Sequence, residues 1–366
     1  MPSALFSPLQ LRSLTIAHRG WVSPMCQYSC LPETGEGVPN DWHLMHLGSF
    51  ASGGAALIMS EAAAVNPAGR ISPRDAGLYS DEQAAAWERI VGFVHAHGAV
   101  DCKIGAQLAH AGRKASTYWP FSGKSGTVPP ADGGWPTVGP TTDAFDGYAA
   151  PAAMTEEEIL GVVADFAAAA QRAVSIGFDT VEIHGAHGYL LHQFQSPLIN
   201  TRSDAWGGDE AGRNRLMLAV VDAVRAVIPD SMPLLLRISA SDWADGGVDV
   251  EASVRLARAA AERGVDLVDV SSGGAVAHQS IKAVPGYQAG FAERVKHDAG
   301  VPTGAVGLLT SPTQAEDIVA NGRADAVFMA RAALRDPHWW LRAAYEIGHE
   351  ISWVPQYERA IPRHGF

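Results

Sequence analysis

The chain has 366 residues and a formal net charge of −12; 47% of its residues are hydrophobic and 18% are charged. A chain of this length suits one large α/β barrel or two smaller domains. The acidic balance argues against a nucleic-acid partner, because binding a polyanion needs a basic face. No apolar run approaches ~20 residues, so we expect no membrane span.

The amino-terminal residues lack a basic region followed by a long apolar segment, so no secretory signal is expected. The three cysteines, Cys26, Cys30 and Cys102, form neither a disulfide framework nor a Cys-x-x-Cys pair. We therefore predict a cytoplasmic protein without a structural zinc or iron–sulfur site.

Short apolar segments alternate with amphipathic helical segments eight times along the chain. The predicted strands are 20–25, 55–60, 102–108, 180–184, 234–239, 267–272, 301–307 and 326–330. The predicted helices lie near 42–52, 81–97, 156–176, 212–228, 250–263, 287–299, 312–321 and 338–347. This alternation indicates a single (β/α)8 TIM barrel over residues 1–366.

A doubly wound parallel sheet is the alternative architecture for such a pattern. That fold would want a glycine-rich fingerprint directly after its first strand. The first strand here ends in Ser23, Pro24, Met25 and Cys26, which is not such a fingerprint. The barrel is therefore favoured.

A stretch rich in proline and glycine interrupts the alternation after the third strand, over 110–154. Loops this long without regular structure are uncommon in compact domains and are often functional. We predict a long loop insertion, which is either a structural excursion or a lid over the barrel mouth.

The run 180–189 places two imidazoles and a phenol at the end of the fourth strand: His184, His187 and Tyr189. The chemistry of barrel enzymes takes place at the carboxyl ends of the strands. Two N–H donors aimed at one oxygen can polarise a carbonyl, and a nearby hydroxyl can protonate the adjacent carbon. A zinc site is the alternative, but His-x-x-His without a helix-borne Glu is a weak metal signal, so we predict no metal.

Other polar residues stand at the ends of the remaining strands, which converge on one face in a closed barrel. They are Cys26, Tyr28, Glu61, Gln107, His110, Arg237, Ser271 and Arg331. Backbone N–H groups at Gly307 and around Ala330 can cradle a phosphate, with Arg331 supplying charge. A cofactor that carries a phosphate and lies over the barrel mouth is therefore predicted.

Segments from about residue 5 to residue 359 match one family in order. They are 23–28, 104–115, 184–191, 204–208, Arg237, 304–307, 321–325 and 356–359. In these segments the chain resembles the Old Yellow Enzyme family of FMN-dependent ene-reductases, especially the subgroup related to YqjM and xenobiotic reductase A. The resemblance implies FMN bound without covalent attachment and the reduction of activated C=C bonds, as in enones, with NADPH or NADH as hydride donor; NADPH is favoured.

The resemblance also implies roles for individual residues. Those matching the FMN contacts of the family are Ser23, Pro24, Met25, Cys26, Ala62, Gln107, Arg237, Gly307, Ala330 and Arg331. Residues His184 and His187 match the pair that holds the substrate carbonyl oxygen, Tyr189 matches the proton donor, and Tyr28 matches a substrate contact. Arg359, in the tail 349–366, matches an arginine that reaches the site of a neighbouring subunit, which implies a homodimer or homotetramer.

Two of the implied FMN contacts have alternative explanations. For Cys26 the alternative is an inert core thiol, but beside the isoalloxazine its weak S–H donor would tune the flavin potential. Arg237 lies in an apolar strand, and a buried arginine needs a partner. Either an internal carboxylate or the pyrimidine end of a reduced flavin would serve, and we favour the flavin.

The sequence departs from the family at two places. His18 stands where Asn usually precedes an arginine, and Ala330 stands where Gly usually precedes the phosphate arginine. Two other functions stay open: a metal- or Schiff-base-dependent lyase or hydrolase, and a flavin-binding redox sensor. A Schiff-base lyase needs a strand-borne lysine, and the only candidate, Lys103, lies at the wrong end of its strand.

Overall fold

Eight buried apolar strands pair side by side in chain order and close into a cylinder. The computed structural model describes residues 3–362 and contains these strands in chain order: β1 Leu9–Leu11, β2 Leu14–Ile16, β3 Gly20–Val22, β4 Leu57–Ala64, β5 Lys103–Ala109, β6 Val138–Gly139, β7 Ala152–Ala153, β8 Thr180–Gly185, β9 Leu234–Ser239, β10 Leu267–Ser271, β11 Thr303–Ala305 and β12 Ala326–Met329. The barrel consists of β3, β4, β5 and β8 to β12, and each neighbouring pair is parallel. The predicted fold class is confirmed.

Helices follow the barrel strands and cover their outer face. They are α1 Asp41–Ser52, α2 Asp81–His97, α3 Glu156–Ser175, α4 Leu190–Gln195, α5 Glu210–Val227, α6 Val250–Ala261, α7 Ala289–Ala299, α8 Pro312–Ala320, α9 Arg331–Arg335 and α10 Trp339–Glu346. All eight predicted helices are present, and only the short α4 and α9 were not predicted. None of the helices described over residues 3–362 is long and apolar enough to cross a membrane.

Local sequence signals fix where the helices begin. At the start of α3, the Thr155 hydroxyl accepts the N–H of Glu158, and the Glu158 carboxylate accepts the N–H of Thr155 at 2.8 Å. This reciprocal cap satisfies backbone donors that the helix itself leaves free. At the start of α8, the hydroxyl of Ser311 caps the helix by accepting the N–H of Gln314, and Pro312 occupies the first turn.

The amino end of the barrel is sealed by apolar side chains. Residues Leu11 and Ile16 of the β1–β2 hairpin are buried in one cluster with Trp21, Leu57 and Phe328 of the barrel strands. Because this end is closed, the carboxyl end is the mouth. The hairpin itself was not predicted from the sequence.

The 110–154 segment is tied down at the mouth. It contains the short parallel pair β6–β7. The Arg113 guanidinium donates to the carbonyl oxygen of Asp143 at 3.0 Å and to that of Ala275, in the loop after β10, at 2.9 Å. These contacts hold the insertion against the carboxyl end of the barrel. Whether it acts as a lid stays a prediction.

Replacement of Phe166 by alanine tests the packing of α3 on the barrel. The ring is 0% exposed within the main core, so Phe166→Ala should lower the free energy of unfolding by about 3–5 kcal/mol, as measured by urea denaturation. The control is Leu160→Ala on the same helix, because Leu160 is 52% exposed. Equal losses for the two variants would contradict the packing described.

Candidate active site

Strand β8 and the turn after it bring three predicted site residues together. His184 lies inside β8 rather than after it, and His187 and Tyr189 follow in the turn before α4. The ring centre of His184 is 5.1 Å from that of His187 and 5.1 Å from that of Tyr189, at an interplanar angle of 81° in both cases. The two imidazoles and the phenol therefore form one group.

The backbone at His187 is held in an unusual shape by its neighbours. Its φ of +59° lies in the left-handed region, which few non-glycine residues adopt. Its N–H donates to the Ser239 hydroxyl at 2.9 Å, while the Lys114 ammonium donates to its carbonyl oxygen at 2.9 Å and to that of Gly274 at 3.1 Å. A Cβ added at Gly188 would lie 2.0 Å from the Gly274 oxygen. The end of β9 and the loops after β5 and β10 thus fix the backbone that carries the His187 ring.

Burial keeps both imidazoles neutral. Loss of solvent lowers the pKa of His184 and of His187 well below the ordinary value, and the nearby charge of Arg237 lowers it further. Nε2 of His187 lies 2.8 Å from the Ser271 hydroxyl. Nδ1 of His184 is buried and has no hydrogen-bond partner among the described residues. The pair therefore presents N–H donors without a positive charge at neutral pH.

An apolar wall stands beside this group. Cys26, Tyr28, Tyr189 and Trp135 pack against a small buried cluster, which consists of Ile71, Ala111 and Ala115. Burial raises the pKa of both phenols and of the Cys26 thiol. All three groups consequently keep their protons at neutral pH, which is the state a proton donor needs.

Lys114 was not singled out in the sequence, although it lies within a family-like segment. Its ammonium lies 5.3 Å from the Tyr189 ring centre and 4.7 Å from that of Phe145. Burial lowers the pKa of Lys114 to about 8. From the sequence, a lysine in a loop rich in glycine and alanine is expected to be exposed to solvent. Its position against the Tyr189 and Phe145 rings becomes apparent only from the way the loops pack in the structure.

Cys26 also approaches two carboxyl groups, Glu61 and Asp75. One potential ligand atom from each of the three residues lies within 4.8 Å of the others. Glu61 already contacts Nε2 of His43 at 3.0 Å and accepts the N–H of Gln27. A thiol must lose its proton to bind a metal, whereas burial here favours the protonated form. The absence of a metal stays a prediction.

A layer of buried polar groups lies inside the barrel, where the sequence predicted only Gln107 and Arg237. Gln107 lies within β5 rather than after it, and its amide donates to Glu182 of β8 at 2.7 Å. Nε of Arg237, on β9, lies 3.0 Å from Oδ2 of Asp269, on β10. Nη2 of the same guanidinium donates to the Ser23 hydroxyl at 3.2 Å. The interpretation that favoured the flavin alone as partner of Arg237 was therefore incomplete, because an internal carboxylate is present.

Glu182 and Asp269 were both missed as site residues. The available signal was the one that identified Arg237, namely a charged residue inside an otherwise apolar strand. The other implied residues of this region are in place: Ser23, Pro24, Met25 and Cys26 follow β3, and Ala62 lies within β4 in register with Gln107.

The predicted phosphate end forms a separate part of the mouth. A cavity of about 210 Å³ is lined by Gly307, Ala330, Arg331, Ser271 and Gln288, among others. Gly307 has a φ of +121°, and a Cβ there would lie 3.0 Å from the Gln288 amide. A cavity with a guanidinium at its edge and a bare backbone on one wall fits a phosphate group.

Arg359 is not part of this assembly within the chain. It lies exposed on the short 3₁₀ helix Pro355–Ala360. No contact between Arg359 and the mouth residues is found in the part of the chain that the structure describes. The last four residues of the tail, 363–366, lie outside that part.

The chain is similar to known proteins over nearly its whole length. The chain is 45% identical over 367 residues to an NADPH dehydrogenase of Geobacillus sp. (strain WCH70), which covers 98% of this chain and 99% of the relative. The solved structure of morphinone reductase has a TM-score of 0.77 and 27% identity, and covers 96% of this chain and 91% of that one. A complex of 2-naphthoyl-CoA reductase with 2-naphthoyl-CoA has a TM-score of 0.83; at 24% identity it shows the fold alone, and this chain spans about half (52%) of that chain's length.

Residues 4–350 match the NADH:flavin oxidoreductase / NADH oxidase family. The predicted resemblance is confirmed, and with it the prediction of an enzyme that uses FMN and NAD(P)H. The chain belongs to this family, the Old Yellow Enzyme family of FMN-dependent oxidoreductases.

Proposed function

We propose that this oxidoreductase reduces the C=C bond of α,β-unsaturated carbonyl compounds and related activated alkenes, with NADPH as the preferred donor. The observation that carries the proposal is the group formed by His184, His187 and Tyr189 at the barrel mouth. It combines two neutral donors for one oxygen with a protonated phenol. The preference for NADPH is supported by relatives that are named NADPH dehydrogenase.

Bound FMN supplies the hydride transfer from the nicotinamide to the β-carbon of the alkene. We propose that the residues which hold it are Ser23, Pro24, Met25, Cys26, Ala62, Gln107, Arg237, Gly307, Ala330 and Arg331. The cavity at Gly307 and Arg331 suits the phosphate, and the remaining N–H groups of Arg237 suit the pyrimidine end. The half-buried thiol of Cys26 keeps its proton and offers a weak donor beside the ring system.

His184 and His187 hold the carbonyl oxygen of the substrate. Negative charge develops on this oxygen as the β-carbon gains hydride, and N–H donors fixed in advance stabilise that charge. Loss of one such donor typically raises the barrier by about 3 kcal/mol. Lys114 and Ser271 contribute indirectly, because they fix the backbone and the ring of His187.

Tyr189 delivers the proton that completes the reduction, to the α-carbon. Its phenol keeps the proton at neutral pH because burial raises its pKa. Tyr28, in the same apolar wall, contacts the bound substrate. The phenol and the imidazoles act on neighbouring atoms of one substrate, which matches the 5.1 Å spacing of the His184 and Tyr189 rings.

Anaerobic spectroscopy tests the proposed activity. The purified protein should be yellow, NADPH should bleach the flavin bands, and 2-cyclohexenone should restore them with formation of cyclohexanone. A flavin that NADPH bleaches but no activated alkene reoxidises would contradict alkene reduction and would favour the redox sensor. A protein without flavin would contradict the cofactor itself.

A Tyr189→Phe variant tests the proton donor. We expect alkene reduction to slow by about 10²–10⁴-fold, while reduction of the flavin by NADPH is unchanged, since only the first half of the cycle avoids the phenol. Stopped-flow traces of the two half-reactions separate these effects. The control is Tyr118→Phe, because Tyr118 is bonded to Asp132 on the exposed part of the insertion. Equal slowing of both half-reactions in Tyr189→Phe would contradict the assignment.

We also propose a cytoplasmic homodimer or homotetramer, built from one domain per chain, in which Arg359 reaches the site of a neighbouring subunit. The exposed position of Arg359 on the tail, away from its own mouth, supports this arrangement. Light scattering should give the mass of two or four chains, and Arg359→Ala should weaken substrate binding without unfolding the barrel. The mass of a single chain would overturn the proposal.

A further inference from the structure

Three ionisable groups share the dry interior of the barrel beside His184. Glu182 precedes His184 by two residues on β8, and His184 is in register with Arg237 on β9, which is in register with Asp269 on β10. Glu182 and Asp269 are 0% exposed, and Arg237 is 5% exposed. The three side chains therefore lie within one small, solvent-free volume.

The charges of this volume do not balance if both carboxyl groups are ionised. One guanidinium would then face two carboxylates, and an unpaired buried charge costs several kcal/mol. Oδ2 of Asp269 lies 3.0 Å from Nε of the guanidinium and so forms an ion pair with it, although neither oxygen of Asp269 has a hydrogen-bond partner within residues 3–362. Glu182 contacts the neutral amide of Gln107 through Oε1, and its Oε2 likewise has no hydrogen-bond partner there. The missing proton therefore belongs mainly on Glu182.

The electrostatic surroundings agree with this distribution. Burial raises the pKa of Glu182, and the charge of Asp269 adds to this rise, while Arg237 and the Gln107 amide oppose it. Burial also raises the pKa of Asp269, and the charge of Arg237 opposes that rise. Since the guanidinium pairs with Asp269, the proton is held mainly by Glu182.

We propose that Glu182 and Asp269 retain one proton between them and so determine how much of the Arg237 charge is available to FMN. Asp269 is a positioning residue, which holds Arg237 and offsets part of its charge. Glu182 does not offset the Arg237 charge while it is protonated, and it adds a negative charge beside Arg237 once it ionises. This rests on the proposed contact of Arg237 with the pyrimidine end of FMN, where a reduced flavin carries negative charge.

Midpoint potentials of the bound flavin test the proposal in the holoenzyme. The double variant of Glu182→Gln with Asp269→Asn should shift the potential to more positive values, because neither carboxylate is left to offset the guanidinium, which then stabilises the reduced cofactor. In Asp269→Asn alone the shift should be smaller, since Glu182 can ionise once the neighbouring carboxylate that raises its pKa is gone. Glu182→Gln should match the wild type at about pH 6–7, and the two should diverge at higher pH, where only the wild type gains a charge. The control is Asp266→Asn, since Asp266 pairs with Arg12 at the closed end of the barrel; its potential should not move.

Two outcomes would overturn the proposal. One is a shift in Glu182→Gln at pH 7 as large as that in the double variant, because Glu182 would then carry the negative charge. The other is an unchanged potential in the double variant. If the double variant does not fold, Glu182→Gln still decides, because glutamine is neutral, similar in shape and able to keep the contact with Gln107; a clear shift of its potential from that of the wild type at pH 7 would overturn the proposal.

Two readouts do not depend on flavin reduction. The infrared spectrum of the wild type at pH 7 should contain the carbonyl band of a protonated carboxyl group that Glu182→Gln lacks. The native state also holds this proton more tightly than the unfolded chain, so wild-type stability should fall relative to Glu182→Gln as pH rises from about 5 to 8. Absence of both effects contradicts the shared proton. None of these tests uses an alkene, so failure of alkene reduction would leave them intact.

Discussion

Removal of water from the polar groups of the barrel is the constraint on which the site depends. The imidazoles of His184 and His187 stay neutral, and the phenol of Tyr189 stays protonated, for the same reason: charged forms are poorly solvated there. An exposed histidine pair would titrate near neutral pH, so its charge and the number of its N–H donors would change with pH. Burial therefore turns residues with ordinary chemistry into a donor set that is constant across the physiological range.

Burial of this kind needs a rigid frame, which the interlocked loops of the mouth supply. The turn at Gly188 and the loop at Gly274 touch backbone to backbone, and Lys114 ties both to the end of β5. The left-handed conformation of His187 persists because these contacts over-determine it. The apolar cluster at the closed amino end holds the strands together independently of the contacts at the mouth. The barrel therefore tolerates the strained backbone at His187.

The barrel and most of the mouth could be predicted from the sequence because both correspond to a pattern that recurs along the chain. Buried parallel strands read as short apolar runs, and residues at their ends must converge once the sheet closes. Elements shorter than two periods of a helix or a strand do not form a recognisable pattern in the sequence, which is why the β1–β2 hairpin, α4 and α9 were missed. The residues that hold FMN and substrate rest on the family resemblance, because strand ends alone do not distinguish one ligand from another.

Pairing inside the barrel could not be predicted, because it depends on register between strands far apart in the chain. The sequence shows that Arg237 needs a partner but offers every acidic residue as a candidate. Only closure of the sheet sets Asp269 beside Arg237, and Glu182 beside Gln107. The same argument explains why the carboxylate partner of Arg237 was not identified: a guanidinium has five donors, so an internal carboxylate and a cofactor are not exclusive partners.

The charge pattern along the barrel axis follows from these contacts and bears on the chemistry. Lys114 at the mouth donates to carbonyl oxygens and lies over aromatic rings, so dipoles and rings offset its positive charge. The charge of Arg237, beside His184, is offset by Asp269. The cations that lower the pKa of the imidazoles also attract the negative charge that develops on a substrate oxygen. The same two cations thus help to keep the imidazole donors neutral and stabilise the transition state in which the substrate oxygen becomes negative.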